Sequence, residues 1–207
     1  LGHTAHWAPE VAAWLNFANG AFDLGELVDT NGDSVPDTTF GAMMAAADKA
    51  GVWLMTAYRL HNEPGTVEVI DRIRKGEIGD PRFFSSLLSF QIPPGNHRLK
   101  AEHWGGPLQD LGVYCLNAVR HAFGSEPIEA VAMSSRGESD PRFAEVESTI
   151  ATLLRFEGGR TAQFTASFGG AETESYRIIG TEGDIEMQPG FRFENTMRMR
   201  LQRGGEL

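Results

Sequence analysis

From residue 82 onward, apolar residues of this chain recur at every second position, which is the period of half-buried β-strands. Six segments carry the pattern between turn-forming residues: 82–92, 127–136, 147–156, 160–168, 175–180 and 184–188. Short glycine-containing turns at 157–159 and 181–183 are typical of hairpins. Together with the helices described next, this alternation predicts an α+β fold. Its core is an open, mainly antiparallel β-sheet with helices packed on one face.

Helical spacing of apolar residues predicts helices over 9–19, 39–50, 63–75 and 108–123, and an apolar run predicts a buried strand over 52–58. The last helix follows a Gly-Gly-Pro turn at 105–107 and ends at Gly124. Its apolar stripe is expected to face the sheet: Leu108, Leu111, Cys115, Val119 and Ala122.

A second face of this helix carries polar residues at the same spacing: Asp110, Tyr114, Asn117 and His121. A carboxylate and a phenol one turn apart can reach into a common cleft. Each residue also has a structural interpretation. Asp110 can cap the helix, Tyr114 can be a core tyrosine, and His121 can interact with the helix C-terminus.

The bulk properties limit the class of protein. With 207 residues the chain can bury a sizeable core, and we expect one domain over 1–207 with a divergent segment over 1–38. The net charge of −10 argues against a nucleic-acid partner, and no apolar run approaches a membrane span. Residues 1–19 show no export signal, so a cytoplasmic location is expected. The single cysteine, Cys115, is expected to be buried and inert.

A candidate calcium loop lies in the N-terminal segment. Oxygen-bearing side chains fall at alternate positions, at Asp29, Asn31 and Asp33, and again at Asp37. This spacing suits a hard cation such as Ca²⁺, although Ser34 and Phe40 depart from the EF-hand pattern. An ordinary surface turn is the alternative.

The run over 105–120 resembles the substrate-site helix of the Gfo/Idh/MocA family of oxidoreductases, to which glucose–fructose oxidoreductase belongs. Four further segments agree in order: 58–59, 76–79, 124–127 and 140–147. A fifth follows at 180–183. The resemblance implies a family C-terminal domain over 39–195. It also implies that Asp110 and Tyr114 hold a polyol and handle its proton, with Arg59, Asn117 and Trp104 bordering the substrate.

The sequence contains no Gly-x-Gly-x-x-Gly turn for a dinucleotide, and no lysine stands where the family places its proton-relay residue. We therefore expect no bound NAD(P). The leading hypothesis is a Ca²⁺-dependent hydrolase of lactones or esters, with Asp110 or His103 as general base and Tyr114 as acid or oxyanion donor. One alternative is a non-catalytic sugar- or lactone-binding module. The other is a dehydrogenase remnant completed by a partner chain.

We expect a small-molecule substrate and a homodimer. The face of the sheet opposite the helices needs a cover if apolar side chains lie there. The residues expected on that face are Ala151, Leu153, Ala162, Phe164 and Ala166. Two copies packed face to face would bury this surface.

Overall fold

The structure is a computed structural model of the chain, and it describes residues 27–28, 38–54, 58–137, 139–191 and 197–204. It divides into two compact units, Leu1–Tyr58 and Arg59–Leu207. The sequence instead suggests a change near residue 38 within one domain over 1–207. That single-domain organisation stays a prediction.

In the first unit, strands β1 (Leu27–Val28) and β2 (Thr38–Thr39) pair antiparallel, and helix α1 (Phe40–Ala50) follows. Gly51 ends the helix with φ 65°, as the sequence predicts. No strand forms over 52–54, where Val52, Trp53 and Leu54 are exposed. An apolar run becomes a strand only where a neighbouring strand supplies the hydrogen bonds of a ladder, and the described residues pair no strand with 52–54. Residues 55–57 and the predicted helix over 9–19 lie outside the described residues.

The second unit is built on a seven-stranded sheet. Its strands are β3 (Pro81–Ser89), β4 (Pro127–Ser135), β5 (Thr149–Phe156), β6 (Thr161–Ser167), β7 (Thr173–Gly180), β8 (Gly183–Met187) and β9 (Met199–Arg203). The spatial order is β4-β5-β6-β3-β7-β8-β9, and every neighbouring pair is antiparallel except β3 with β6. All six predicted strands form, and the α+β fold is confirmed. Strand β9 lies beyond the last segment that we identified in the sequence.

Helices α2 (Pro64–Arg74) and α3 (Val113–Phe123) belong to this unit. The Glu63 side chain caps α2 by accepting a hydrogen bond from the Thr66 amide at 2.8 Å. Helix α3 packs on β3, and a single π-helical turn, Leu108–Gly112, leads into it and packs on β3 and β6. At Gly112 an added Cβ would lie 3.4 Å from the Phe164 ring, so the glycine permits close approach to the sheet.

The core lies between the sheet and these helices. The stripe of the last helix is inward as predicted, with Cys115 and Val119 completely buried. The predicted burial of Cys115 is confirmed, and this burial raises the pKa of its thiol to about 12. In the sheet, the inward row includes Phe84, Leu154 and Ile178.

Only some of the residues expected on the open face of the sheet, opposite the helices, lie there. Ala162, Phe164 and Ala166 are buried on the helix side, because the alternation of β6 points them inward with Phe84 and Leu88 of β3. Ala151 and Leu153 are exposed on the open face as expected, and the other large exposed apolar side chains there are Phe83, Leu87, Val131 and Met133. Among the described residues no helix is long and apolar enough to cross a membrane.

Candidate functional site

The site is organised by the π-helical turn and the helix that follows it. Asp110 lies in the π turn, and Tyr114 and Asn117 follow in α3. A π turn holds one more residue than an α turn, and such turns are frequent at functional sites. All three side chains are partly exposed, so they border a surface open to solvent.

Asp110 is held by an arginine that the sequence analysis missed. The Nε of Arg98 donates a hydrogen bond to Oδ1 of Asp110 at 2.8 Å, and the Arg98 and Asp110 side chains are 41% and 26% exposed. Arg98 lies in a single 3₁₀ turn, His97–Leu99, within the connection to the π turn, so no period in the sequence relates it to Asp110. The one local signal is the group of basic residues His97, Arg98 and Lys100, ten to thirteen residues before the carboxylate.

The loop that carries Arg98 is fixed by its own hydrogen bonds. Asn96 Oδ1 accepts from the Arg98 amide at 3.0 Å, and the Arg98 carbonyl accepts from the Gly106 amide at 2.9 Å. Farther along, Glu145 accepts from the Lys100 ammonium at 2.6 Å and from the Ala101 amide at 3.1 Å. The Arg98 backbone is thus anchored on both sides beside the first turn of the helix.

Two residues predicted in the site, His103 and Trp104, lie on the same loop. His103 is exposed, and its Nε2 lies 3.8 Å from a carboxylate oxygen of Glu102. Trp104 adopts a left-handed conformation, φ 52°, which is uncommon for a residue with a Cβ and costs roughly 1–2 kcal/mol. A glycine would reach that conformation without strain. Both residues remain predicted members of the site.

Asn117 is tied to the end of the helix. Its Oδ1 accepts a hydrogen bond from Nη1 of Arg120 at 2.9 Å, and Nε of Arg120 donates to Glu126 at 2.7 Å. The amide oxygen of Asn117 is therefore engaged, and its NH₂ group is the part able to donate to a ligand. Arg59 begins a short 3₁₀ helix, Arg59–Asn62, but its side chain lies outside the described residues.

A histidine pair joins that 3₁₀ helix to α3. The Nδ1 atoms of His61 and His121 lie 3.0 Å apart, with one ring donating and the other accepting. Burial, the neighbouring His121 and Arg120 lower the pKa of His61 to about 4. Burial, Arg74 and Arg120 lower the pKa of His121. Only the helix-terminus interpretation of His121 was considered from the sequence, since a contact 60 residues away leaves no local signal.

This pair predicts that the protein loses stability in mild acid. The unfolded histidine, with a pKa of about 6.5, binds protons at a pH where folded His61 does not. Stability from His61 is therefore present above about pH 6.5 and is lost as the pH falls towards 4. Urea unfolding should show about 1–3 kcal/mol of this loss in wild type and less in His61→Gln. His97→Gln, on an exposed loop, is the control. Equal pH dependence in all three proteins would contradict the assignment.

No group of three or more His, Cys, Asp or Glu side chains suited to a metal occurs among the described residues. The predicted calcium ligands Asp29, Asn31, Asp33 and Asp37 lie outside those residues. Their geometry is therefore not described.

Residues 66–186 match the family model of the GFO/IDH/MocA C-terminal domain. The chain belongs to the GFO/IDH/MocA family. The resemblance drawn from the helix over 105–120 and its companion segments is thereby confirmed.

Relatives of this chain include oxidoreductases that are named for sugars. A D-xylose 1-dehydrogenase (NADP(+)) of Haloferax volcanii is 29% identical over 162 residues, covering 77% of this chain and 48% of the relative. The crystal structure of an aldose-aldose oxidoreductase from Caulobacter crescentus, complexed with glycerol, matches with a TM-score of 0.75 and 37% identity, covering 80% of this chain and 49% of that one.

A 3-ketoreductase from Actinomadura kijaniata, in complex with NADP and TDP-benzene, matches with a TM-score of 0.64 and 25% identity. That match covers 79% of this chain and 53% of the reductase. The chain therefore spans about half the length of the relatives it matches.

These relatives overturn the functional hypothesis drawn from the sequence. A Ca²⁺-dependent hydrolase or lactonase is wrong, because the matched proteins are oxidoreductases and two of them are named or crystallised with NADP. The expected absence of NAD(P) is wrong for the same reason, and calcium has no support. The error came from reading the missing glycine-rich turn as a sign of different chemistry.

Proposed function

We propose that this chain supplies the substrate-binding half of an NADP-dependent oxidoreductase that acts on a sugar or related polyol. The observation that carries the proposal is the placement of Asp110 and Tyr114 on one helix, beside Arg98, inside the family match over 66–186. The sugar-oxidising relatives support the substrate class.

The residues of this chain would act on the substrate hydroxyls. Asp110 uses Oδ1 for Arg98, so Oδ2 is available to accept a hydrogen bond from a substrate hydroxyl. Tyr114, one turn farther along, would take up or return the proton of the hydroxyl that becomes a carbonyl. Asn117 would orient a neighbouring hydroxyl through its NH₂ group.

NADP itself does not fit the described residues. A dinucleotide needs a glycine-rich turn at a helix N-terminus to receive its pyrophosphate, and no two glycines in this sequence stand in the Gly-x-Gly spacing. We therefore assign no step of hydride transfer to these residues. The nucleotide site would belong to a segment other than the described residues.

The test is a chimera that joins the unmatched part of the Caulobacter crescentus oxidoreductase to this chain. With NADP⁺ and D-xylose we expect the absorbance of NADPH to appear, and calorimetry should show D-xylose binding to this chain alone. A chimera that folds and binds NADP⁺ but neither binds nor oxidises any of a panel of aldoses would refute the proposal.

We also propose that two copies pair through the open face of the sheet. Phe83 and Leu153 on that face are 45% and 53% exposed, and a second copy would bury them against the same residues by two-fold symmetry. A cytoplasmic location stays a prediction.

The pairing predicts that Leu153→Lys converts a dimer into a monomer, because two lysines would be buried at the symmetry axis or close to it. Light scattering after size-exclusion chromatography measures the change. Val67→Lys, at an exposed apolar position of α2, is the matched control and should leave the dimer intact. A wild-type protein that is monomeric at micromolar concentration would exclude this pairing.

A further inference from the structure

The contact between Arg98 and Asp110 uses only part of each side chain. Among the described residues, the one hydrogen bond of the Arg98 guanidinium is from Nε to Oδ1 of Asp110. Its two terminal nitrogens, and Oδ2 of Asp110, have no partner within that part of the chain. A pair of donors and one acceptor therefore lie side by side at the surface.

These atoms are held in place. The backbone of Arg98 is hydrogen bonded at both of its polar groups. Its N–H donates to Oδ1 of Asn96, and its carbonyl oxygen accepts from the Gly106 amide. Asp110 is fixed by the π turn that packs on β3 and β6. The guanidinium is planar and rigid, so fixing Nε also fixes the direction of the two terminal nitrogens.

We propose that Arg98 and Asp110 together recognise two adjacent hydroxyl groups of the substrate. One hydroxyl donates to Oδ2 of Asp110, and its neighbour accepts from a terminal nitrogen of Arg98. The oxygen atoms of adjacent sugar hydroxyls lie about as far apart as two hydrogen-bonded atoms. Neighbouring atoms of the Arg98–Asp110 ion pair have a similar spacing. Arg98 is thus a residue that contacts substrate and selects vicinal diols. The proposal rests on the proposed function, because it concerns the same substrate site.

The alternative for Arg98 is a purely structural role, in which it only holds Asp110 and its loop. If the role is structural, replacing Arg98 lowers the affinity for every ligand by the same factor. A contact to the second hydroxyl makes the loss depend on whether the ligand has that hydroxyl. The two roles are therefore distinguished by whether the effect of replacing the side chain depends on the presence of that ligand group.

The probes are cis-cyclohexane-1,2-diol and cis-cyclohexane-1,3-diol, which have the same atoms and differ in hydroxyl spacing. NMR titration of the whole chain gives their affinities, with D-xylose as a reference. Wild type should bind the 1,2-diol about tenfold or more tightly than the 1,3-diol, since hydrogen bonds to charged groups are the stronger ones. Arg98→Gln should lose most of that preference.

Two variants guard the interpretation. Arg98→Lys keeps the positive charge beside Asp110 but offers no planar fork, so it should fold normally and lose part of the preference. Arg155→Gln removes an exposed arginine of β5 that pairs with Glu129 of the edge strand β4 at 2.6 Å, and it should keep the full preference.

Each outcome decides something. Equal binding of both diols by wild type, or an Arg98→Gln protein that keeps the preference, would overturn the inference while D-xylose binding still supports the proposed function. A clear preference that Arg98→Gln abolishes, together with a chimera that folds and binds NADP⁺ but neither binds nor oxidises any aldose of the panel, would support the diol contact and refute the proposed oxidoreductase function. No binding of any probe or of D-xylose would overturn both.

Discussion

Replacement of Tyr114 by Phe should lower the kcat for D-xylose oxidation by the NADP-loaded chimera by about 100- to 1000-fold. The substitution keeps the aromatic ring at position 114 and removes only the hydroxyl that would exchange the proton. Because Asp110 and Arg98 still bind the sugar, KM should change by no more than about twofold. Steady-state kinetics on the two proteins measures both quantities.

The control for this substitution is Tyr176→Phe. Tyr176 is buried in the core against Phe84 and Phe191, and burial raises its pKa, so it has no access to substrate. It should cost stability and leave kcat unchanged. If Tyr114→Phe retained the wild-type kcat, the phenol would not be the proton carrier. A rise in KM alone would indicate a binding role instead.

Substitution of Gly105 by Ala is expected to destabilise the protein by about 2–3 kcal/mol and to abolish sugar binding. An added Cβ would collide with the carbonyl oxygen of Arg98 and lie 2.7 Å from that of Lys100. Both neighbours are backbone atoms of the loop that presents Arg98 to Asp110, so the loop has to move. Thermal unfolding should show a decrease in Tm of roughly 4–12 °C, and D-xylose calorimetry should show the lost binding.

Gly137→Ala is the matched control, because an added Cβ there lies 3.4 Å from the nearest atom, Cβ of Asp140. It should leave both Tm and sugar affinity close to wild type. If Gly105→Ala bound D-xylose normally, the position of this loop would not matter for substrate binding. That result would contradict the assignment of Arg98 to the site.

The sheet and the main helix were predictable because their signals are local. A period of two located six of the seven strands, and an apolar stripe ending at Gly124 located α3 with its buried Cys115 and Val119. Strand β9 (Met199–Arg203) was missed because its five residues follow a stretch without that period. The π turn was missed because α and π spacing differ by one residue over a single turn.

The polar contacts of the site were less accessible to sequence reasoning. The partners of Asp110 and His121 come from a loop and a 3₁₀ helix, at separations that no periodicity encodes. Asp110 and Tyr114 were found through the family motif and not through physics alone. The calcium hypothesis failed for a different reason, which is that its pattern is not specific. Alternating oxygen-bearing side chains at 29–33 are also typical of a solvated turn.

The parallel pairing of β3 with β6 has a consequence for how the protein is made. Phe83 of the central strand pairs with Thr161 on one side and Ile179 on the other, so both neighbours are synthesised long after β3 itself. Until then β3 has two unpaired edges, which is the condition that favours association between chains. A fragment that stops before β6 should therefore accumulate in inclusion bodies even though it contains the whole of α3.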